Sequence, residues 1–142
     1  MISELYMNQE VVVRIAGGES DSGIILRRGV RPGCSLSPML FSIYAEMMMT
    51  EALENVEEGI RVCGELIKDV KYADDLGMVA NTEAGLQSLM DSLNTTAKHY
   101  DMKINIKETK AMVVSRNGGE RVNITVESQS VEQLASLDIL AR

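Results

Sequence analysis

Leu66-Ile67-Lys68-Asp69-Val70-Lys71-Tyr72-Ala73-Asp74-Asp75-Leu76-Gly77-Met78-Val79-Ala80 is the stretch that decides the fold. Two acidic side chains, Asp74 and Asp75, stand at a tight bend between apolar runs at residues 66–73 and 76–80. Such flanks are expected to pin the pair to a rigid, buried hairpin, the kind of support that holds reactive groups best. Aspartate is also an ordinary turn residue, because it tolerates bends and hydrogen-bonds its own backbone. Adjacent carboxylates repel one another, however, and ionising both costs energy unless a cation offsets the charge. Mg²⁺ suits this place: it is hard, oxygen-seeking and content with one or two carboxylates plus phosphates and waters. Two such ions about 3.5–4 Å apart can activate a hydroxyl and stabilise a leaving pyrophosphate in an in-line displacement. Two neighbouring residues cannot clamp both ions, so this chemistry requires a further carboxylate from an adjacent strand.

Outward from the bend, the pattern alternates hairpins and helices. Residues 60–62, a turn at Cys63-Gly64 and residues 65–70 read as a strand pair leading into the bend. On the other side, Asn81 or Thr82 can cap a helix whose Leu86, Leu89, Met90, Leu93, Ala97 and Tyr100 recur at helical spacing. His99, the single histidine, has no acidic or thiol partner at ligand spacing and reads as a surface or packing residue. Upstream, residues 11–16 form a strand, residues 17–23 a long loop and residues 24–28 the returning strand. After the Gly/Pro-punctuated loop at residues 29–35, Ser35 or Ser37 can cap a helix with Pro38 in its first position. That helix is expected to reach about Val56 with Leu40, Tyr44, Met47 and Met48 on one face. The Met47-Met48-Met49 run reads as adaptable core filling. Downstream, residues 103–107 form a short link and residues 111–115 a strand. Asn117-Gly118-Gly119 then signals a hairpin into the alternating strand at residues 122–126. Hairpin connections favour an α+β fold: one antiparallel sheet with two helices packed on one face.

Bulk properties set bounds on this reading. With 142 residues, 45% hydrophobic and 25% charged, the chain is read as one domain, residues 1–142, able to bury a core. The longest uncharged stretch, residues 32–45, is shorter than the roughly 18 apolar residues of a membrane span. With no leader pattern and two cysteines, Cys34 and Cys63, lacking disulfide or metal spacing, the expectation is an intracellular protein with reduced thiols and no membrane partner. A net charge of −7 and 4% aromatic residues argue against strong nucleic-acid binding by this chain alone.

Four ordered blocks give the sequence a resemblance to reverse transcriptases of LINE-type, non-LTR retrotransposons, covering nearly the whole chain. The first is Leu5-Tyr6-Met7-Asn8-Gln9-Glu10 with Val12-Val13-Arg14. The second, Arg28-Gly29-Val30-Arg31-Pro32-Gly33-Cys34-Ser35-Leu36-Ser37-Pro38-Met39-Leu40-Phe41, is similar to the family's second palm block. Tyr72-Ala73-Asp74-Asp75 resembles the catalytic hairpin, and Lys103-Ile104-Asn105-Ile106-Lys107-Glu108-Thr109-Lys110 the block after it. The resemblance implies an RNA-directed DNA polymerase palm in which Asp74 and Asp75 are catalytic and hold Mg²⁺. It also implies that Arg28, Arg31, Gly33, Ser35, Ser37 and Tyr72 line the path of nucleotide, RNA template and DNA primer, and that Lys107 and Lys110 can meet phosphates. Lacking a Cβ, Gly33 would let a dNTP approach the backbone closely.

The departures bear on activity. The family's first palm block, an apolar strand with a metal-binding Asp, is expected upstream of Met1, and fingers and thumb are expected outside the matched region. Where the family has a nucleotide-contacting glutamine stands Pro32, which lacks both an amide side chain and an N–H. Where it has a lysine before Thr109 stands Glu108, and the family's Phe-Lys-Tyr-Leu-Gly appears as Leu137-Asp138-Ile139-Leu140-Ala141. The expectation is therefore an incomplete two-ion site, an isolated chain that does not polymerise, and weak or no nucleic-acid binding. The alternative is a degenerate retrotransposon remnant with an interaction or structural role. Uncovered apolar surface further predicts self-association.

Overall fold

The computed structural model describes residues 7, 9–12, 14–15, 18–19, 23–26, 29, 33–72, 75–115 and 120–134. The chain divides into two compact units, Met1–Tyr44 and Ala45–Arg142.

In the first unit the short strands are β1 (Gln9–Val11), β2 (Arg14–Ile15), β3 (Gly18–Glu19) and β4 (Ile24–Leu26). β1 runs antiparallel to β4 with Gln9 opposite Leu26, and β2 pairs with β3 with Arg14 opposite Glu19. The result is a hairpin nested inside a hairpin, rather than one long loop between two strands. Turn-type composition at residues 17–23 concealed the inner rungs, because Gly18 and Glu19 pair despite it.

Helix α1 (Ser37–Leu53) starts with Pro38 in its first turn, where a missing N–H breaks no helical bond. It stops at Leu53, short of Val56, and side chains from other elements satisfy its last carbonyls. Ser92 Oγ donates to Ala52 O at 2.5 Å and Lys68 Nζ to Leu53 O at 2.7 Å. The buried stripe is also rotated from the expected one. Met48, Met49, Ala52 and Leu53 are buried, whereas Met47 is 58% exposed and Tyr44 is exposed. Apolar residues surround most of this helix, so no polar face in the sequence tells which side turns inward.

In the second unit, β5 (Ile60–Val62) and β6 (Glu65–Ile67) form an antiparallel hairpin, as the sequence predicts, but the second strand ends at Ile67 instead of running to residue 70, since residues 69–72 pair in another ladder. Cys63 (φ 52°) and Gly64 (φ 91°) both adopt the left-handed conformation required by the tightest two-residue hairpin turn. Next come β7 (Asp69–Tyr72) and β8 (Asp75–Met78), also antiparallel. Helix α2 (Glu83–His99) is capped by Thr82, whose hydroxyl accepts the Gly85 N–H at 3.0 Å. Its Leu89, Leu93 and Ala97 join the α1 stripe in one core, and Met90 lies in a second with Ala111, Ile124, Val126 and Val131. Met78 packs against both.

The last strands are β9 (Lys110–Met112), β10 (Thr125–Val126), β11 (Gln129–Ser130) and β12 (Glu132–Leu134). Their pairing corrects the sequence reading. β9 pairs in parallel with β12, and β10 pairs with β11 around Glu127 (φ 51°) and Ser128 (φ 66°). Residues 117–119 lie outside the described residues. The Gln133 side chain holds the segment before β10, accepting from Val122 N at 3.1 Å and donating to Glu120 O at 2.9 Å. The α+β class stands, but the described strands pair two by two rather than as one antiparallel sheet carrying both helices. No described helix is long and apolar enough to cross a membrane.

Candidate active site

The β7–β8 ladder pairs Asp69 with Met78, Val70 with Gly77, Lys71 with Leu76 and Tyr72 with Asp75. Only Ala73 and Asp74 separate the last pair along the chain, and these two lie outside the described residues. Val79 N donates to Lys68 O at 2.9 Å, which extends the ladder at its base. Side chains alternate across a strand and cross-strand partners share a face. One face thus carries Asp69, Lys71, Leu76 and Met78; Val70 and Asp75 belong to the other. Met78 anchors the first face in the core. The second is open rather than buried, which corrects the expectation of a buried hairpin: Val70 is 60% exposed and Asp75 is exposed, because apolar flanks alone do not supply a partner for both faces of a two-stranded ladder.

Lys71 joins the hairpin to α1. Its ammonium donates to Glu46 Oε2 at 2.7 Å and lies 3.4 Å from Asp69 Oδ2. Partial burial pulls the Lys71 pKa down, but the Glu46 hydrogen bond and the Asp69 charge outweigh it and hold the value above the ordinary one. These three residues edge a groove of about 230 Å³ between α1 and β6–β7, floored by Met49, Leu53 and Leu66. Sequence reading missed this trio. Asp69 and Lys71 two apart on a strand were a usable sign, but nothing local pointed to Glu46.

The remaining candidates belong to several different segments of the chain. Gly33 (φ +77°) is exposed, and a Cβ built there meets nothing within 4 Å. Ser35 is exposed and Ser37 is buried in the first turn of α1. Gly33, Ser35 and Ser37 belong to the unit Met1–Tyr44 and the acidic hairpin to Ala45–Arg142. Arg28, Arg31 and Pro32 lie outside the described residues. Lys107 is exposed in a turn; Lys110 pairs with Glu132 and donates to Lys107 O at 3.1 Å. Glu108 is exposed, its N–H donating to Asn105 O at 3.1 Å. Among the described residues, no three His, Cys, Asp or Glu side chains converge as a metal site. The donor chemistry at the bend still fits a hard cation, since Asp75 offers an exposed carboxylate next in sequence to Asp74.

Comparison with known proteins decides the family. The family model described as reverse transcriptase (RNA-dependent DNA polymerase) matches residues 1–135. The chain belongs to the reverse transcriptase family. Within it, this reverse transcriptase chain is of the LINE-type, non-LTR branch. It is 27% identical over 118 residues to a retrovirus-related Pol polyprotein from the type-1 retrotransposable element R2 of Nasonia vitripennis. It is 25% identical over 107 residues to the corresponding polyprotein of Popillia japonica. It is also 30% identical over 114 residues to that of the type-2 element R2DM of Drosophila melanogaster. These matches cover 78%, 75% and 80% of this chain, but only 11%, 15% and 10% of the respective polyproteins.

Proposed function

We propose that this chain forms part of the palm of an RNA-directed DNA polymerase, with Asp74 and Asp75 holding Mg²⁺ at the tip of β7–β8. The observation that carries this reading is the pairing of Tyr72 with Asp75, which leaves an exposed carboxylate on the first residue of β8. When bound, Mg²⁺ supplies Lewis acidity toward a primer hydroxyl and neutralises the charge of a dNTP's phosphates. The chain's own contribution is position. Asp75 presents an acceptor-only group on a paired strand, and Gly33 offers open backbone to a nucleotide. Arg28, Arg31, Ser35, Ser37 and Tyr72 complete the path for RNA template and DNA primer in this reading. Lys107 can meet a phosphate directly, and Lys110 can do so once it releases Glu132.

By itself the chain does not polymerise in this reading. A net charge of −7 provides little attraction for a phosphate backbone, so nucleic-acid binding by the isolated chain is weak. A second reading, a degenerate retrotransposon remnant with an interaction or structural role, is favoured by Pro32 and Glu108 at positions where the family carries functional side chains. In either case we place the protein inside the cell. Primer extension on an RNA template with Mg²⁺ tests the inactivity that both readings expect of the isolated chain. The isolated chain is expected to add no nucleotide above background, and incorporation that Asp74→Asn abolishes would overturn that expectation.

A further inference from the structure

The two faces of the β7–β8 ladder carry different chemistry. On one, Lys71 bridges Asp69 on its own strand and Glu46 on α1. On the other, Asp75 is open to solvent. The base of the ladder is held by Met78 in the core and by the Val79–Lys68 backbone bond. The end nearest the bend is tied to the helix by Lys71, one residue before the last rung, Tyr72 with Asp75. We propose that Lys71 is a positioning residue for the acidic hairpin. Its bridge to Glu46 fixes β7 against α1 and so sets the placement of Asp75 for binding a divalent cation, a role that rests on the cation-binding reading above.

The geometry separates this role from a simple effect of charge. Lys71 and Asp75 belong to opposite faces of the ladder, so the ammonium acts on the carboxylate through the backbone rather than by contact. If Lys71 acted only as a nearby positive charge, removing it would strengthen cation binding. As the tie that holds the hairpin, removing it weakens binding. The two explanations predict opposite signs.

A luminescence titration of the full 142-residue chain with Tb³⁺, a hard oxygen-seeking probe standing in for Mg²⁺, reads that sign. Lys71→Met is expected to weaken Tb³⁺ affinity by roughly tenfold, as loss of supporting partners does at metal sites. Lys71→Ala, which also removes both the tie and the positive charge, shifts affinity the same way, while Lys71→Arg stays within about twofold of the parent chain because the bridge persists. The Lys71 side chain is 33% exposed, so truncation in Lys71→Ala keeps the fold and carries the test even where Lys71→Met does not; far-UV circular dichroism checks both. Unchanged or tighter binding in the folded variants overturns the positioning role. Asp75→Asn separates the two levels: if it titrates like the parent, the cation-binding reading falls and the proposal with it. If Asp75→Asn loses binding and the bridge variants do not, only the proposal falls.

Discussion

Gly59 adopts φ +155°, and a Cβ there would lie 2.6 Å from the backbone carbonyl oxygen of Ile67. A backbone carbonyl in a paired strand cannot swing aside, and Asn81 Nδ2 donates to Gly59 O at 2.9 Å, which fixes the glycine from the other side. Gly59→Ala is therefore expected to destabilise the fold by about 1–3 kcal/mol. Urea denaturation checks this: the midpoint should fall with the slope unchanged, and an unshifted midpoint would refute the steric account. Gly85 presents a softer obstacle, since a Cβ there would meet the carboxylate tip of Glu58, the mobile end of a side chain near the start of α2. Nothing in the sequence singles out Gly59. Its requirement comes from Ile67, eight positions away, and no local pattern carries that. Asp75 was legible in its place beside the bend, which immediate neighbours set, but not in its exposure: the apolar flanks read as a buried hairpin, and the structure leaves Asp75 exposed on the first residue of β8.

Elements show the same division between local and distant causes. Helix α2 was legible because its apolar residues recur at helical spacing, while the structure chooses Thr82 over Asn81 as its cap and ends it at His99, with Tyr100 as the C-cap. The β5–β6 hairpin was equally clear, because Cys63-Gly64 fits a two-residue turn. Helix α1 was legible as a helix but not in its orientation, and the parallel pairing of β9 with β12 joins segments about twenty residues apart with no sequence mark. One tie between elements makes a pH prediction. Lys98, in the last turn of α2, pairs with Glu127 in the β10–β11 turn at 2.6 Å. The Lys98 hydrogen bond, then its charge, hold the Glu127 carboxyl below its ordinary value, with a smaller contribution from Lys103. A carboxylate depressed in the folded state stabilises it above the unfolded value of 4.5 and loses that contribution as pH falls through the folded value. The melting temperature should accordingly drop more between about pH 5 and about pH 3 in the parent chain than in Glu127→Gln, with the difference shrinking in high salt. Parallel pH profiles for the two chains would count against the pairing.

At the scale of the whole molecule, composition revealed a chain able to bury a core, and the structure shows how much apolar surface remains outside it. Met47 is 58% exposed on α1, Val62 50% on β5 and Val70 60% on β7, all within the unit Ala45–Arg142. Short strands paired two by two also leave backbone edges able to accept another strand. The sequence foretold uncovered apolar surface but not its location, because α1 carries apolar residues on nearly every side. Net charge opposes association: at −7, copies of the chain repel at long range, and salt weakens that repulsion. Apolar attraction acts only at contact and is insensitive to such screening. The chain is therefore expected to self-associate, with the weight-average mass in sedimentation rising with concentration and rising further when salt is added. Met47→Lys replaces a large exposed apolar side chain on α1 with a charged one and should lower that mass at equal concentration, with helix content unchanged. A parent chain that sediments as a monomer at high concentration in high salt would sink this expectation. If Met47→Lys associated as strongly as the parent, contact would have to occur elsewhere than at this part of α1.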